Sequence, residues 1–168
     1  MEQFKILFFS FSNFVFSLPF TMFGLTKYDQ NDIKADWQPP GFVFGIVWPI
    51  LYFLFGIINL NAYFGGHSEY IKRKILNNAF HESLVQTCWL LVTSKFFEKR
   101  LLIQNVLGFF IILYLVYYAY FVRAVSLFNI KKGNLLYYYV PYCLWISFAL
   151  ILSFQILSKS LVSINTNT

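Results

Sequence analysis

Five long apolar runs dominate the pattern of hydrophobic and polar positions along the chain. They cover residues 6–25, 42–64, 79–97, 101–122 and 135–157. Each run has about the twenty residues with which an α-helix, rising 1.5 Å per residue, crosses the ~30 Å hydrocarbon core of a membrane. The pattern therefore predicts an all-α membrane protein, a bundle of five transmembrane helices forming a single domain over residues 1–168.

The first run has to be distinguished from a secretory signal peptide. It is longer than the apolar core of such a peptide, and the only basic residue before it, Lys5, is offset by Glu2. No Ala-x-Ala cleavage motif follows it. We therefore interpret this run as the first transmembrane helix.

The polar segments between the runs are short. The longest, residues 26–41, carries charges of both signs and ends in Pro39, Pro40 and Gly41. Because proline fixes φ and donates no backbone hydrogen bond, this loop is expected to be stiff where it enters the second span. After the last run, residues 158–168 are polar and are predicted to form a frayed tail.

Composition supports the membrane assignment and changes the picture in one respect. The chain is 58% hydrophobic and 12% charged, whereas soluble domains average about 45–50% and about 25%. An ordinary soluble enzyme is thereby excluded. Aromatic residues make up 23%, with 22 Phe and 12 Tyr, which exceeds what interfacial belts need. Many rings must therefore face lipid or line an interior.

The net charge of +6 comes from 13 Lys and Arg against 7 Asp and Glu. The basic residues are scattered through short loops, so we expect them to contact lipid head groups of the bilayer and predict no nucleic-acid partner. With alternating spans, seven Lys and Arg fall on the side of the N-terminus and six on the other. This difference leaves the orientation in the membrane undecided.

The sequence shows no motif typical of a soluble active site or a metal site. Cys88 and Cys143 lie inside apolar runs and are interpreted as buried hydrophobes. His81 and Glu82, at the start of the third run, are interpreted as interfacial residues at a helix end. We therefore predict no catalytic acid–base pair and no metal ligands.

Aromatic and polar positions share one face on three of the predicted helices, because steps of three and four return to the same side. These faces comprise Trp48, Tyr52, Phe55 and Asn59 in the second span; Glu82, Gln86, Trp89 and Thr93 in the third; and Tyr138, Tyr142, Trp145 and Ser153 in the fifth. Two interpretations remain open. The faces pack helix on helix with interhelical hydrogen bonds, or they surround a flat, hydrophobic ligand with polar edges.

Small residues four positions apart give a weaker signal. Gly41 and Gly45 begin the second span, and Ala149 and Ser153 lie in the fifth. Such pairs let helices approach closely, either within one chain or across a homodimer.

Two segments carry a resemblance to a known family. WQPPGFVFGIVWPILYFLFG, residues 37–56, and VPYCLWISFALILSF, residues 140–154, resemble the signature segments of the TspO/MBR family of tryptophan-rich sensory proteins and translocator proteins, also known as peripheral benzodiazepine receptors. A weaker match is QTCWLLV, residues 86–92, which stands where the family has Asn-x-x-Trp-x-Pro in its third helix.

This resemblance implies a five-helix bundle whose first connection caps a ligand pocket. Family members bind porphyrins, including protoporphyrin IX and haem, and some bind cholesterol or benzodiazepine-type ligands. For this chain the resemblance implies a receptor or carrier for tetrapyrroles, acting in transport, sensing or stress regulation. It further implies an integral protein of a bacterial cell membrane or of the mitochondrial outer membrane. Porphyrin or haem enters as ligand, no cofactor is required, and homodimerisation remains an option.

Two alternatives stay open beside the receptor or carrier. The first is an enzyme that degrades porphyrin with light and oxygen, using Trp48 and Trp145 as electron donors. The second is a regulatory subunit of a larger membrane complex.

The resemblance and the helical faces together imply a set of ligand-binding residues: Trp37, Pro40, Phe42, Trp48, Tyr52, Gln86, Trp89, Tyr142, Trp145 and Ser153. At four positions the chain departs from the family pattern, with Phe42 for Trp, Gln86 for Asn, Leu91 for Pro and Ser153 for Asn. Phenylalanine still stacks, and glutamine and serine still form hydrogen bonds, so a porphyrin site remains compatible with these changes. The fifth helix lacks the Tyr and Arg of a sterol motif, so high-affinity cholesterol binding is not predicted.

Overall fold

The computed structural model describes residues 11–13, 15, 17, 33–93, 101–130 and 134–166. In this part of the chain the helices are α1 (Gly41–Phe64), α2 (Glu69–Val92), α3 (Leu101–Tyr118) and α4 (Leu135–Thr166). Helix α3 continues through a π-helical segment, Ala119–Ala124, and ends in one further α-turn, Val125–Phe128. The described residues form helices and loops without a strand, which confirms the all-α prediction.

The first predicted span, residues 6–25, is represented by a few described positions. Ser12, Asn13, Val15 and Ser17 are helical. Phe11, just before them, is also described. The remaining residues of that span, together with residues 26–32 of the first loop and residues 94–97 of the third predicted span, lie outside the described residues.

Within the described residues, three helical stretches have the length and composition to cross a membrane: Gly41–Phe64, Leu102–Phe128 and Leu135–Ser163. They correspond to the second, fourth and fifth predicted spans. Large apolar side chains are exposed on their outer faces, including Phe53, Phe110, Phe121, Leu144 and Ile151. Part of the phenylalanine excess therefore lies where lipid would surround the bundle.

Helix α2 begins at Glu69 rather than at Ala79, where the apolar run starts. The intervening residues are mostly charged or polar, but Glu, Lys, Arg and Leu are good helix formers, so the helix extends beyond its apolar part. Lys72 Nζ lies 2.9 Å from Glu69 Oε1, an i,i+3 pair that supports the first turn. The hydrogen bond from Lys72 lowers the pKa of Glu69, and the same bond raises the pKa of Lys72.

The prediction of a frayed tail from Ser158 is wrong for residues 158–166, because α4 continues to Thr166. The hydroxyls of Ser158 and Ser160 donate to the carbonyls of Phe154 and Ile156, each at 2.9 Å, one turn back along the helix. Serine without a neighbouring glycine or proline does not end a helix when its hydroxyl is bonded in this way.

The core lies where the four helices meet. Phe55 and Ile58 of α1, Ile75 of α2, Ile112 of α3 and Ile146 of α4 are all almost completely buried there. This core holds the inner faces of the helices together and fixes the positions of the aromatic and polar side chains described next.

A glycine brings α1 close to the start of the chain. A Cβ atom built at Gly56 would overlap the ring of Phe11, whereas one built at Gly45 meets nothing within 4 Å in the described part of the chain. Within the described part of the chain no helix approaches Gly45 closely, and Gly56 is the position at which the absence of a side chain matters.

Candidate ligand-binding site

Rings from α1, α2 and α4 form a continuous group centred on Trp48, here called the aromatic cluster. The Trp48 ring centroid lies 5.6 Å from Tyr52, 6.2 Å from Trp89, and 6.4 Å from both Tyr142 and Trp145. These separations fall in the range of favourable aromatic pairs. The three helical faces identified from residue spacing thus converge on one ring.

The first loop reaches this cluster through Trp37. Its ring centroid lies 5.5 Å from that of Phe148, which in turn lies 5.3 Å from Trp145. Trp37 is itself 45% exposed. The loop thus places a partly exposed aromatic ring at one edge of the aromatic cluster.

Residues 33–40, here called the strap, are tied to the C-terminal half of α4. Lys159 Nζ lies 2.5 Å from Asp36 Oδ1 and donates to the carbonyl of Lys34 at 3.1 Å. Gln155 also donates to Asp36, at 3.4 Å. The strap is therefore held at its centre by one ion pair and two hydrogen bonds.

Gln86, a predicted ligand-binding residue, is occupied by hydrogen bonds within the protein. Its Nε2 donates to the hydroxyl of Tyr142 at 2.7 Å, and its Oε1 accepts from Asn13 at 3.1 Å. Ser83 links the same region to Asn13 and to the hydroxyl of Ser12. The geometry thus makes Gln86 a residue that orients Tyr142 from behind the aromatic cluster.

Three predicted residues lie at the edge of the site or beyond it. Phe42 is 68% exposed, and Phe44, which the sequence analysis did not single out, is the residue whose ring lies 5.5 Å from Trp145. Pro40 is exposed at the start of α1. Ser153 is half-buried, about 12 Å along the helix axis from Trp145 at 1.5 Å per residue.

A buried charge network, which sequence reasoning missed, lies next to the aromatic cluster. Arg123 donates to Asn59 Oδ1 at 2.6 Å and to the Ile75 carbonyl at 2.5 Å, and its Nε lies 4.0 Å from Glu82 Oε2. Tyr139 donates to the other oxygen of Glu82 at 2.5 Å. The 4.0 Å separation is too long for a hydrogen bond, so the two groups attract each other by charge alone.

Two predictions about these residues were wrong. Glu82, interpreted as interfacial, is 0% exposed, and Arg123, counted among the loop cations, is 1% exposed. Arg123 lies in the π-helical segment of α3, whose wider turn changes the direction in which its side chains point. A charged residue inside or directly after an apolar run was the signal that should have indicated a buried functional group.

The predicted face of the fifth span also needs correction. Tyr138 is 43% exposed, whereas Tyr139 is fully buried, with its ring centroid 5.5 Å from Phe55 and 5.3 Å from Tyr142. Both positions are compatible with a face that contains Tyr142, since one lies four residues before it and the other three. Tyr139 contacts Glu82 and Phe55. These contacts place Tyr139, and not Tyr138, on the inner face of the helix.

The cysteines and His81 lie apart from this arrangement. Cys143 is buried as expected, but Cys88 is exposed, which contradicts its interpretation as a buried hydrophobe. His81 Nε2 lies 2.8 Å from the hydroxyl of Tyr114, and its ring packs on Tyr118 of α3. Among the described residues, no three His, Cys, Asp or Glu side chains are grouped so as to hold a metal ion.

The TspO/MBR family model matches residues 5–158. The chain belongs to the TspO/MBR family. The match extends well beyond the two segments that carried the resemblance and includes the first and fourth predicted spans, for which only hydropathy was available. Searches of curated proteins and of solved structures return no match. Together with the three apolar helices, membership of the TspO/MBR family identifies an integral membrane protein.

The aromatic cluster of this TspO/MBR protein combines apolar ring faces with a polar group that lacks a partner. Trp145 Nε1 is buried and has no hydrogen-bond partner among the described residues. An unpaired buried donor costs about 1–3 kcal/mol, and an acceptor on a bound molecule would recover that cost. The cluster is thus suited to a flat apolar molecule that carries acceptor groups at its edge.

Proposed function

We propose that this chain is a membrane receptor or carrier for porphyrins, with protoporphyrin IX and haem as ligands and a role in tetrapyrrole transport, sensing or stress regulation. The observation that carries this proposal is the aromatic cluster around Trp48, with the unpaired N–H of Trp145 inside it. Membership of the TspO/MBR family supports the same class of ligand. The porphyrin is the bound ligand, and the protein requires no separate cofactor.

A porphyrin matches this cluster in shape and chemistry. Its macrocycle is flat and apolar, and each aromatic ring stacked on it contributes about 0.5–1.5 kcal/mol beyond burial. Its carboxylates lie at defined positions at the edge of the macrocycle and provide acceptors for a donor such as Trp145 Nε1. A few polar groups of this kind orient a ligand that is held mainly by apolar contact.

The proposed binding site consists of Trp37 and the aromatic cluster, with Phe44 added from the structure. Pro40, Phe42 and Ser153 form its outer part, and Gln86 holds Tyr142 in place. The proposed architecture is the five-helix bundle, in which the helical residues Ser12 and Asn13 contact α2 through Ser83 and Gln86. The lipid bilayer surrounds this bundle in a bacterial cell membrane or the mitochondrial outer membrane.

A titration tests the proposed site directly. Protoporphyrin IX added to the purified protein in detergent should quench tryptophan fluorescence. In the double variant Trp48→Phe, Trp145→Phe, the quenching should depend less strongly on the porphyrin concentration. Tyr137→Phe is the matched control, because Tyr137 is on the same helix as Trp145 and is 75% exposed. An unchanged binding curve in the double variant would contradict the site. Parallel titrations with haem and cholesterol define the ligand class.

One geometric observation favours light-dependent degradation as a second candidate function. Trp48 and Trp145 lie 6.4 Å apart with their rings nearly perpendicular, so both can contact one photoexcited ligand. Illumination of the complex in air should then remove the porphyrin absorption band in the wild type and leave it in the Trp48→Phe, Trp145→Phe variant. A band that is equally stable in both would exclude degradation and leave the receptor or carrier.

A further inference from the structure

A path of aromatic rings leads from the aromatic cluster to a buried carboxylate. The Tyr142 ring lies 6.4 Å from Trp48, and the Tyr139 ring lies 5.3 Å from Tyr142. The hydroxyl of Tyr139 then donates to Glu82 Oε1 at 2.5 Å. Tyr139, Tyr142 and Glu82 are all buried. Rings in contact at such distances allow an electron to pass between them, and this path ends at a phenol that is bonded to a base.

The hydrogen bond between Tyr139 and Glu82 has a specific chemical consequence. A phenol that loses one electron becomes a strong acid, so tyrosine is readily oxidised only where a base within hydrogen-bond distance accepts its proton. Carboxylate Oε1 of Glu82 is such a base. The guanidinium of Arg123, 4.0 Å from Oε2, provides the positive charge that balances the carboxylate inside the bundle.

We propose that Tyr139 and Glu82 form a proton-coupled redox relay that returns electrons to oxidised tryptophan in the aromatic cluster. A one-electron oxidant, such as a photoexcited ligand, removes an electron from Trp48. The Trp48 radical cation takes an electron from Tyr139 across the ring of Tyr142, and the phenolic proton moves to Glu82. The products are neutral Trp48, a neutral Tyr139 radical and a protonated Glu82 carboxyl, so electrons, protons and charge balance.

Two other tyrosines of the bundle, Tyr118 and Tyr120, donate to neutral oxygen acceptors. Tyr118 donates to the amide oxygen of Asn78 at 3.1 Å, and Tyr120 donates to the Cys143 carbonyl at 3.4 Å and lies 3.1 Å from the hydroxyl of Ser147. Amide, carbonyl and hydroxyl oxygens are weak bases that do not retain a proton in this setting. The hydrogen bond to Glu82 therefore distinguishes Tyr139 from Tyr118 and Tyr120, and Tyr120 provides a matched control.

Flash photolysis without any porphyrin tests the relay. An ultraviolet laser pulse ionises tryptophan in the full chain held in lipid nanodiscs, and transient absorption follows the tryptophan radical and the tyrosyl radical. In the wild type and in Tyr120→Phe, the tryptophan radical should decay as the tyrosyl radical forms. In Tyr139→Phe, the tryptophan radical should live longer and the tyrosyl signal should be lost. Equal decay in all three proteins would overturn the proposal.

A second set of variants tests the proton acceptor. Glu82→Gln removes the base and leaves Arg123 without an opposite charge, so it is paired with the double variant Glu82→Gln, Arg123→Gln, which removes both charges. Both should prolong the tryptophan radical as Tyr139→Phe does. A double variant that transfers as fast as the wild type would exclude Glu82 as the acceptor. Because no porphyrin is used, a failure of porphyrin binding and a failure of the relay are separate results.

Discussion

At the scale of single residues, the buried charge network shows that residue type alone does not tell whether a charged side chain reaches water. Its position in the fold decides this. Glu82 and Arg123 stand at the edges of apolar runs, where charged side chains usually reach water. In the structure both are buried and each has its neighbours within the bundle. A charge pair taken out of water loses its hydration, so its stability depends on both partners being present.

Removing one partner of this pair should therefore destabilise the fold strongly. Arg123→Gln or Glu82→Gln leaves one uncompensated buried charge, for which about 3–5 kcal/mol of lost stability is expected. The double variant should be less destabilised than the sum of the two. Thermal unfolding in detergent, followed by circular dichroism, measures this.

The exposed pair of Lys72 and Glu69 provides the control for this experiment. It lies in the polar first turn of α2, where the Glu69 side chain is 71% exposed, and Glu69→Gln should leave the unfolding temperature nearly unchanged, since exposed ion pairs contribute little. Strictly additive losses in the Glu82, Arg123 double variant would show that the two buried charges do not interact.

Sequence spacing also has a definite limit at this scale. It identified Trp48, Trp89 and Trp145 as facing a common interior, and the structure brings their helices together at Trp48. It could not choose between Tyr138 and Tyr139, because three-residue and four-residue steps both return to the face of Tyr142. Only the contacts from α1 and α2 make that choice.

At the scale of elements, an apolar run in the sequence and the helix that contains it do not have the same ends. The run shows how many consecutive residues are apolar. The helix continues beyond it as long as the residues favour helical backbone and their polar side chains form hydrogen bonds or ion pairs. This is why α2 extends back to Glu69 and α4 continues to Thr166. The apolar pattern could not predict the π-helical segment of α3. Its six residues, which are Ala, Tyr, Phe, Val and Arg, are compatible with an α-helix as well as with a π-helix.

Glycine positions within α1 give a matched pair of tests at this scale. Gly56→Ala places a methyl group against the ring of Phe11, and overpacking of this kind typically costs about 1–3 kcal/mol. Gly45→Ala meets open space and should be neutral or stabilise by up to about 1 kcal/mol through helix propensity. Thermal unfolding of both variants in detergent compares them.

A compensating change shows where the cost at Gly56 arises. Phe11→Ala in the Gly56→Ala background removes the ring that the new methyl group meets, so part of the lost stability should return. If Gly56→Ala is no less stable than Gly45→Ala, the contact between α1 and Phe11 is not a close one.

At the scale of the whole molecule, the candidate site depends on helices far apart in the sequence and on one loop. The aromatic cluster joins α1, α2 and α4, and the strap lies against α4 through Asp36 and Lys159. The TspO/MBR family match, over residues 5–158, spans both the strap and the helices that carry the aromatic cluster. The strap is held by Asp36 and Lys159, which lie 123 positions apart in the sequence. Periodicity within one helix cannot predict such a pair.

Releasing the strap should change access to the aromatic cluster and leave the helices intact. Lys159→Gln removes the ion pair with Asp36 and the hydrogen bond to the Lys34 carbonyl. Because the pair is partly exposed, its loss is worth up to about 1 kcal/mol, or roughly a fivefold change in the fraction of released strap. Trypsin should then cleave faster after Lys34, which mass spectrometry detects as a new fragment end.

The same release should raise both the association and the dissociation rates of protoporphyrin IX, because Trp37 on the strap borders the aromatic cluster through Phe148. Stopped-flow fluorescence measures the two rates, and Lys159→Arg should restore them by replacing the cation. Salt should act on the wild type in the same direction as the substitution, since it screens an exposed pair. A strap that gates the site changes both rates together, whereas a strap that only adds contacts to the ligand raises the dissociation rate alone.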